Sequence, residues 1–186
     1  MSDLLEDKVG FVGPTFSLAN RLRRAMWQIC WLVLARWTPP PLHKMRIWLI
    51  RLFGGRVSYQ AYVYPDVHIW APWNLGMERH ATLGRGVICY NMARIDLAEK
   101  AVVSQFVHLC TGTHDYLDPR FPLYARPIRI GRRAWVCANA FVGPGVTLGE
   151  GAILGAAGVA TKDLPPWTIH VGNPAVQVKN RPPIHD

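Results

Sequence analysis

At 186 residues, half of them apolar, the chain is long enough to bury one core and too apolar to be disordered. Its formal charge of +9 favours polyanionic partners, but no nucleic-acid motif or basic-aromatic platform accompanies it, so nucleic-acid binding is not expected. Four scattered cysteines with no Cys-x-x-Cys pair, and an acidic rather than basic start (Asp3, Glu6, Asp7), argue against a disulfide framework and a cleavable leader; a cytoplasmic, reducing setting follows, with the thiols as small buried hydrophobes.

The charge is concentrated at the beginning. Up to Gln60 there are nine basic residues against three acidic ones, so +6 of the +9 lies there. Residues 17–53 read as helix, with Ser17 as N-cap and Pro39, Pro40 and Pro41 dividing two pieces. The apolar run 25–35 is bracketed by Arg24 and Arg36; its eleven residues fall short of the about 20 needed to span a bilayer. Two readings stay open: the segment caps the domain that follows, or it lies peripherally on an anionic membrane surface through its tryptophans and arginines.

From Val57 the periodicity changes to six. Val57, Val63 and Ile69 form a first set, Met77, Leu83 and Cys89 a second, and Leu97, Val103 and Leu109 a third; two-residue offsets after Ile69 and before Leu97 mark irregular corners. The longest set runs Ile130, Val136, Val142, Leu148, Leu154, Ala160, with Ala134, Ala140, Val146, Ala152, Gly158 and Leu164 four places after each. One aliphatic side chain per unit points inward and a smaller residue fits the corner. Gly131, Gly143, Gly149 and Gly155, just after the aliphatic residue, are expected to supply the backbone angles of the turns. This is an all-β solenoid, a parallel β-helix of hexapeptide repeats with an N-terminal helical segment. Domain limits of 1–56, 57–175 and 176–186 follow, for the helical segment, the solenoid and a C-terminal tail. The inserted run 111–127 is too long for a corner and is the first place to look for chemistry.

The chain resembles the left-handed β-helix acyltransferases, most closely the colanic acid biosynthesis acetyltransferase group. The resemblance is carried by Cys89-Tyr90-Asn91, Val103-Ser104-Gln105, Leu109 through Asp115, Ile130 through Trp135, Gly155-Ala156-Ala157-Gly158, Thr161-Lys162-Asp163 and Val171-Gly172-Asn173-Pro174-Ala175. The left hand comes from this resemblance alone, since parallel strand crossovers otherwise favour the right.

The resemblance implies a homotrimer with acetyl-CoA between neighbouring subunits and no metal. Acetyl would pass directly to a sugar hydroxyl in exopolysaccharide assembly, the sugar free or lipid-linked. His114 falls at the family's catalytic histidine and would take the hydroxyl proton. Asp115 or a backbone carbonyl would hold the imidazole in the right tautomer. Trp135, Ala138, Ala156 and Thr161 match cofactor-lining positions, and Lys162 and Lys179 match contacts to the phosphates. Val176 departs from a position often basic in the family, where Arg181 is a candidate substitute. Asn91 and Tyr116 are candidate acceptor contacts. Two rival functions remain: a zinc-dependent carbonic anhydrase of the gamma type using His80, His108 and His114, disfavoured because His108 and His114 lie one hexad apart, and a non-catalytic scaffold.

Overall fold

Each hexad becomes a strand of two or three residues and a turn, and three strands complete one coil. In the computed structural model, which describes residues 16–184, the first coil is β1 (Arg56–Val57), β2 (Tyr62–Val63) and β3 (His68–Ile69). The second is β4 (Leu75–Met77), β5 (Thr82–Leu83) and β6 (Ile88–Tyr90), and the third β7 (Ile95–Leu97), β8 (Val102–Val103) and β9 (His108–Cys110). The insertion then forms β10 (Gly112–His114) and β11 (Leu123–Ala125). Two further coils follow: β12 (Ile128–Ile130), β13 (Trp135–Val136), β14 (Phe141–Val142), then β15 (Thr147–Leu148), β16 (Ile153–Leu154), β17 (Val159–Ala160). The chain closes with β18 (Thr168–Val171) and β19 (Val176–Asn180), so the expected C-terminal tail contains a strand, antiparallel to β18. The acidic start (Asp3, Glu6, Asp7) lies outside the described residues.

Strands of successive coils pair in parallel and build three faces of a left-handed prism. Face 1 is β1-β4-β7-β12-β15, face 2 runs from β2 through β5, β8, β13 and β16 to β18 and β19, and face 3 is β3-β6-β9-β14-β17. The inward residue of every hexad, from Val57 to Ala160, is 3 % exposed or less. Each large one contributes about 1.5–3 kcal/mol by leaving water. Of the cysteines only Cys89 is fully buried, its thiol pushed up to about 12 by burial; Cys30, Cys110 and Cys137 are half-buried free thiols.

The expected role of the repeat glycines needs correcting. Positive φ falls on the third residue after nine of the inward residues, whatever its type: His80, Lys100, Phe106, Arg133, Asn139 and Ala157 as well as Gly86, Gly145 and Gly151. Gly131 and Gly149 serve close approach instead. A Cβ on Gly131 would lie 2.7 Å from the Glu150 amide nitrogen and from Leu148 O of the next coil, and one on Gly149 2.5 Å from the Pro166 nitrogen.

The N-terminal segment forms α1 (Leu18–Cys30), N-capped by Ser17, a π turn over Trp31–Ala35 and, past the prolines, α2 (His43–Leu52). One side of this segment is a cap. Trp27, Trp31, Ala35, Ile47 and Ile50 continue the solenoid core past the first coil. The first-coil carbonyls at Val57, Val63 and Ile69 have no earlier coil to accept from. Arg51 donates to Val57 O at 2.7 Å, Arg46 to Val63 O at 2.8 Å, and Trp27 Nε1 and Gln28 Nε2 to Ile69 O at 2.7 and 3.0 Å, so each face has a capping donor. Such capping keeps an open sheet end from pairing with other chains.

Candidate active site

After β9 the chain leaves the corner between faces 3 and 1 as an antiparallel hairpin, with Gly112 opposite Ala125 and His114 opposite Leu123. The inserted run is therefore ordered rather than an irregular loop. Its root is buried: Thr111 Oγ1 donates to Tyr90 O at 2.8 Å and accepts from the Ala93 N–H at 3.0 Å, while the Arg126 N–H donates to Thr111 O at 2.9 Å. Near the tip, the Asp118 carboxylate accepts from Arg120 Nη2 at 2.7 Å, and the Arg120 side-chain hydrogen bonds hold its pKa down at about 2. The Phe121 N–H donates to Asp118 O, which turns Phe121 into a left-handed conformation (φ 48°) and folds its ring back.

That ring stacks on His114 with centroids 4.4 Å apart and planes 12° apart. His114 Nδ1 lies 3.0 Å from Phe121 O. A carbonyl only accepts, so in the neutral imidazole Nδ1 carries the proton and Nε2 keeps its lone pair. The side chain is solvent-exposed, leaving Nε2 open to an approaching donor.

Of the two orienting groups left open by sequence, the structure supplies the backbone carbonyl. Asp115, expected to share the catalytic role, has its Oδ1 accepting from the Leu117 N–H at 3.0 Å in a local turn. Asn91 is also corrected as an acceptor contact. It is fully buried, its Oδ1 accepting from the Ala71 N–H at 2.9 Å and its Nδ2 donating to Ala71 O at 2.6 Å, which fastens two successive irregular corners together. Tyr116 projects into solvent at the hairpin tip.

The residues expected to meet the cofactor occupy two corners and one face. Thr161 and Lys162 are exposed on the corner that also carries the hairpin, where Asp163 Oδ1 fixes the turn by accepting from the Thr147 N–H at 2.7 Å. Ala138 and Ala156 stack on the corner between faces 2 and 3, joined by the Ala157 N–H donating to Ala138 O at 2.9 Å. Their methyl groups leave the backbone open to close approach. Trp135 faces outward from face 2 with Nε1 donating to Ser104 Oγ at 2.8 Å, and Lys179 is exposed on β19. Arg181, the candidate substitute at the Val176 position, donates through Nη1 to Arg133 O and Gly151 O. One protomer thus sets His114 and the Ala138–Ala156 column on neighbouring corners, with the outward side of face 3 between them.

Sequence reasoning missed the Phe121 carbonyl, the Thr111 root and a cavity of about 580 Å³ between α1 and the hairpin root, whose lining includes Trp70, Trp73, Asn74, Met92 and Arg94. The one available signal was the pair of two-residue offsets, since Trp70, Trp73, Met92 and Arg94 all fall in those irregular corners. Among the described residues no three His, Cys, Asp or Glu side chains are grouped as metal ligands, and His80, His108 and His114 are not brought together.

No protein-family model matches the chain. WcaF of Escherichia coli K12, provisionally named a colanic acid biosynthesis acetyltransferase, is 35 % identical over 178 residues, 95 % of this chain and 98 % of its own length. Among solved structures, a maltose O-acetyltransferase of Clostridium difficile superposes with a TM-score of 0.78 at 23 % identity, covering 89 % of both chains. A hexapeptide-repeat acetyltransferase of Vibrio cholerae solved with acetyl-CoA gives 0.77 at 21 %, covering 92 % of this chain and 93 % of that one. With the full-length likeness to WcaF added to the six-residue solenoid and its histidine-bearing hairpin, the chain belongs to the colanic acid biosynthesis acetyltransferase family of hexapeptide-repeat proteins.

Proposed function

We propose that the protein transfers an acetyl group from acetyl-CoA to a saccharide hydroxyl in exopolysaccharide assembly, with His114 Nε2 as the general base. The observation that carries this reading is the Nδ1 contact to Phe121 O, which leaves Nε2 as the proton acceptor on an exposed, rigidly rooted hairpin. The names of the relatives support the reaction class, and the solved complex with acetyl-CoA supports the donor.

In this mechanism Nε2 takes the hydroxyl proton as the sugar oxygen bonds to the acetyl carbonyl carbon. The C–S bond then breaks, and the imidazolium returns the proton to the departing sulfur, so no acyl-enzyme forms. Backbone N–H groups beside the small Ala138 and Ala156 would stabilise the oxyanion. Trp135 and Thr161 line the pantetheine path, and Lys162 and Lys179 bind phosphates as point charges. Division of these residues between two corners favours a site completed between subunits of a homotrimer. The aromatic and amide side chains of the cavity beside the hairpin root, with Tyr116 at the tip, suit a sugar ring, free or lipid-linked. The protein would work in the cytoplasm, peripherally at the inner face of the membrane.

The test is incubation with acetyl-CoA and a panel of sugars and lipid-linked saccharides, followed by mass spectrometry. A gain of one acetyl per product with stoichiometric thiol release supports the reading. Thioester loss that no saccharide accelerates refutes it.

A further inference from the structure

The two N-terminal helices have an outer side that the cap does not use. Leu18, Leu22, Met26, Ile29, Val33 and Trp37 follow one another at three- or four-residue intervals along α1, the π turn and the turn after it, and Leu32 and Leu34 join them. All eight are between 51 and 80 % exposed. The widening occurs where α1 gives way to the π turn, so three successive residues, 32–34, reach solvent together. Trp48 and Leu52 add two more exposed apolar side chains on α2. Soluble proteins scatter such residues singly; a contiguous stripe of them marks an interaction surface.

The charge around the stripe has one sign. Residues 16–65 contain eight arginines and lysines and no aspartate or glutamate. Arg46 is buried in the cap, Arg23 lies over the Trp73 ring and Arg24 over the Trp70 ring, whereas Arg21, Arg36 and Lys44 are exposed on the helical segment. A second copy docking through the same face would bring these cations together without counter-charge. No helix among the described residues is long and apolar enough to cross a membrane. An apolar face whose own described segment, residues 16–65, carries cations and no carboxylate, on helices too short to span, is the pattern of an interfacial helix.

We propose that this outer face docks on an anionic phospholipid surface, with the Leu18-to-Trp37 stripe entering the acyl boundary and Arg21, Arg36 and Lys44 at the headgroups. The inference deepens the membrane-facing reading above by naming the surface and its lipid partner, and it does not depend on acetyl transfer. Because the cap uses the opposite side, outer residues can be changed without removing a core contact.

The experiment is co-flotation of the intact protein with phosphatidylglycerol-containing vesicles and with pure phosphatidylcholine vesicles, at low and high salt, with acetylation of a soluble sugar measured on the same samples. The expected result is stronger binding to anionic vesicles, weakened but not abolished by salt. Arg21→Gln and Lys44→Gln should each lower vesicle affinity about fivefold. A Leu22→Glu, Val33→Glu double variant should lower it at least about tenfold while circular dichroism is unchanged. If that double variant misfolds, Trp37→Phe with bromolipid quenching decides: the wild type should be quenched and the variant less so. A protein that stays in solution with anionic vesicles at low salt, a folded double variant that floats like wild type, or quenching unaltered by Trp37→Phe overturns the proposal. Failure of the wild-type protein to float while it acetylates the sugar sinks the docking surface alone, and wild-type flotation without acetylation sinks the catalytic reading alone.

Discussion

The Phe121 carbonyl decides which imidazole nitrogen of His114 is free, and this separates the two neighbours that share the sequence Gly-Thr-His-Asp. Among the described residues the Asp115 carboxylate accepts from the Leu117 N–H alone, a bond that an amide oxygen can equally accept. Asp115→Asn should therefore keep acetyl transfer within about tenfold of wild type, well above the loss expected when a general base is removed. A steady-state rate assay checks this, and a loss of a hundredfold would restore Asp115 to the machinery. Lys162 is an exposed point charge on the hairpin's corner, remote from any reacting atom in the proposed mechanism. A phosphate contact is equally strong in ground and transition states, so Lys162→Ala should raise KM for acetyl-CoA with kcat little changed. Dephospho-CoA thioester is the control. Equal discrimination by wild type and variant between the two donors would show that Lys162 does not touch the 3′-phosphate.

At the level of elements, the hexad coils were legible in the sequence because a six-residue period puts every inward aliphatic at a predictable place, from Val57 to Ala160. The hairpin was legible only as an interruption. Its orienting contact joins residues seven apart through a left-handed Phe121, and neither the angle nor the carbonyl direction is written in side-chain type. Asn91 misled for a related reason. An asparagine in an irregular corner serves a substrate or a neighbouring backbone equally well, and only the stacking of the Ala71 and Asn91 corners decides. The N-terminal helices were visible, but not their two-sidedness, since Arg46 sits in a run of basic residues and yet is buried beneath Val63 O, Thr38 Oγ1 and Pro39 O. Arg46→Leu leaves those acceptors without their donor and should cost about 1–3 kcal/mol in urea unfolding. Arg21→Leu, at an exposed position of α1, should stay within about 0.5 kcal/mol. Equal effects would contradict the capping role.

Across the whole molecule, burial lowers the pKa of His68, His108 and His170. Each therefore takes up a proton less readily in the fold than in the unfolded chain, where histidine protonates near pH 6.5. The unfolded state binds more protons below that value, so the stability these residues contribute is complete at higher pH and is lost as pH falls toward their folded values. Thermal unfolding between about pH 8 and about pH 5 should show a midpoint that is flat at first and then declines. His108→Phe, replacing a ring packed edge-on against Phe141, should make that decline shallower, and an identical slope would remove His108 from the explanation.

The measurement that bears most directly on the account is the rate of acetyl transfer to an accepted saccharide by wild type and His114→Ala, with assembly state and acetyl-CoA affinity determined on the same preparations. The variant should keep its assembly and donor affinity and lose about 10²–10⁴-fold in turnover, the range of a general base. Retention of more than about a tenth of wild-type turnover would contradict His114 as that base.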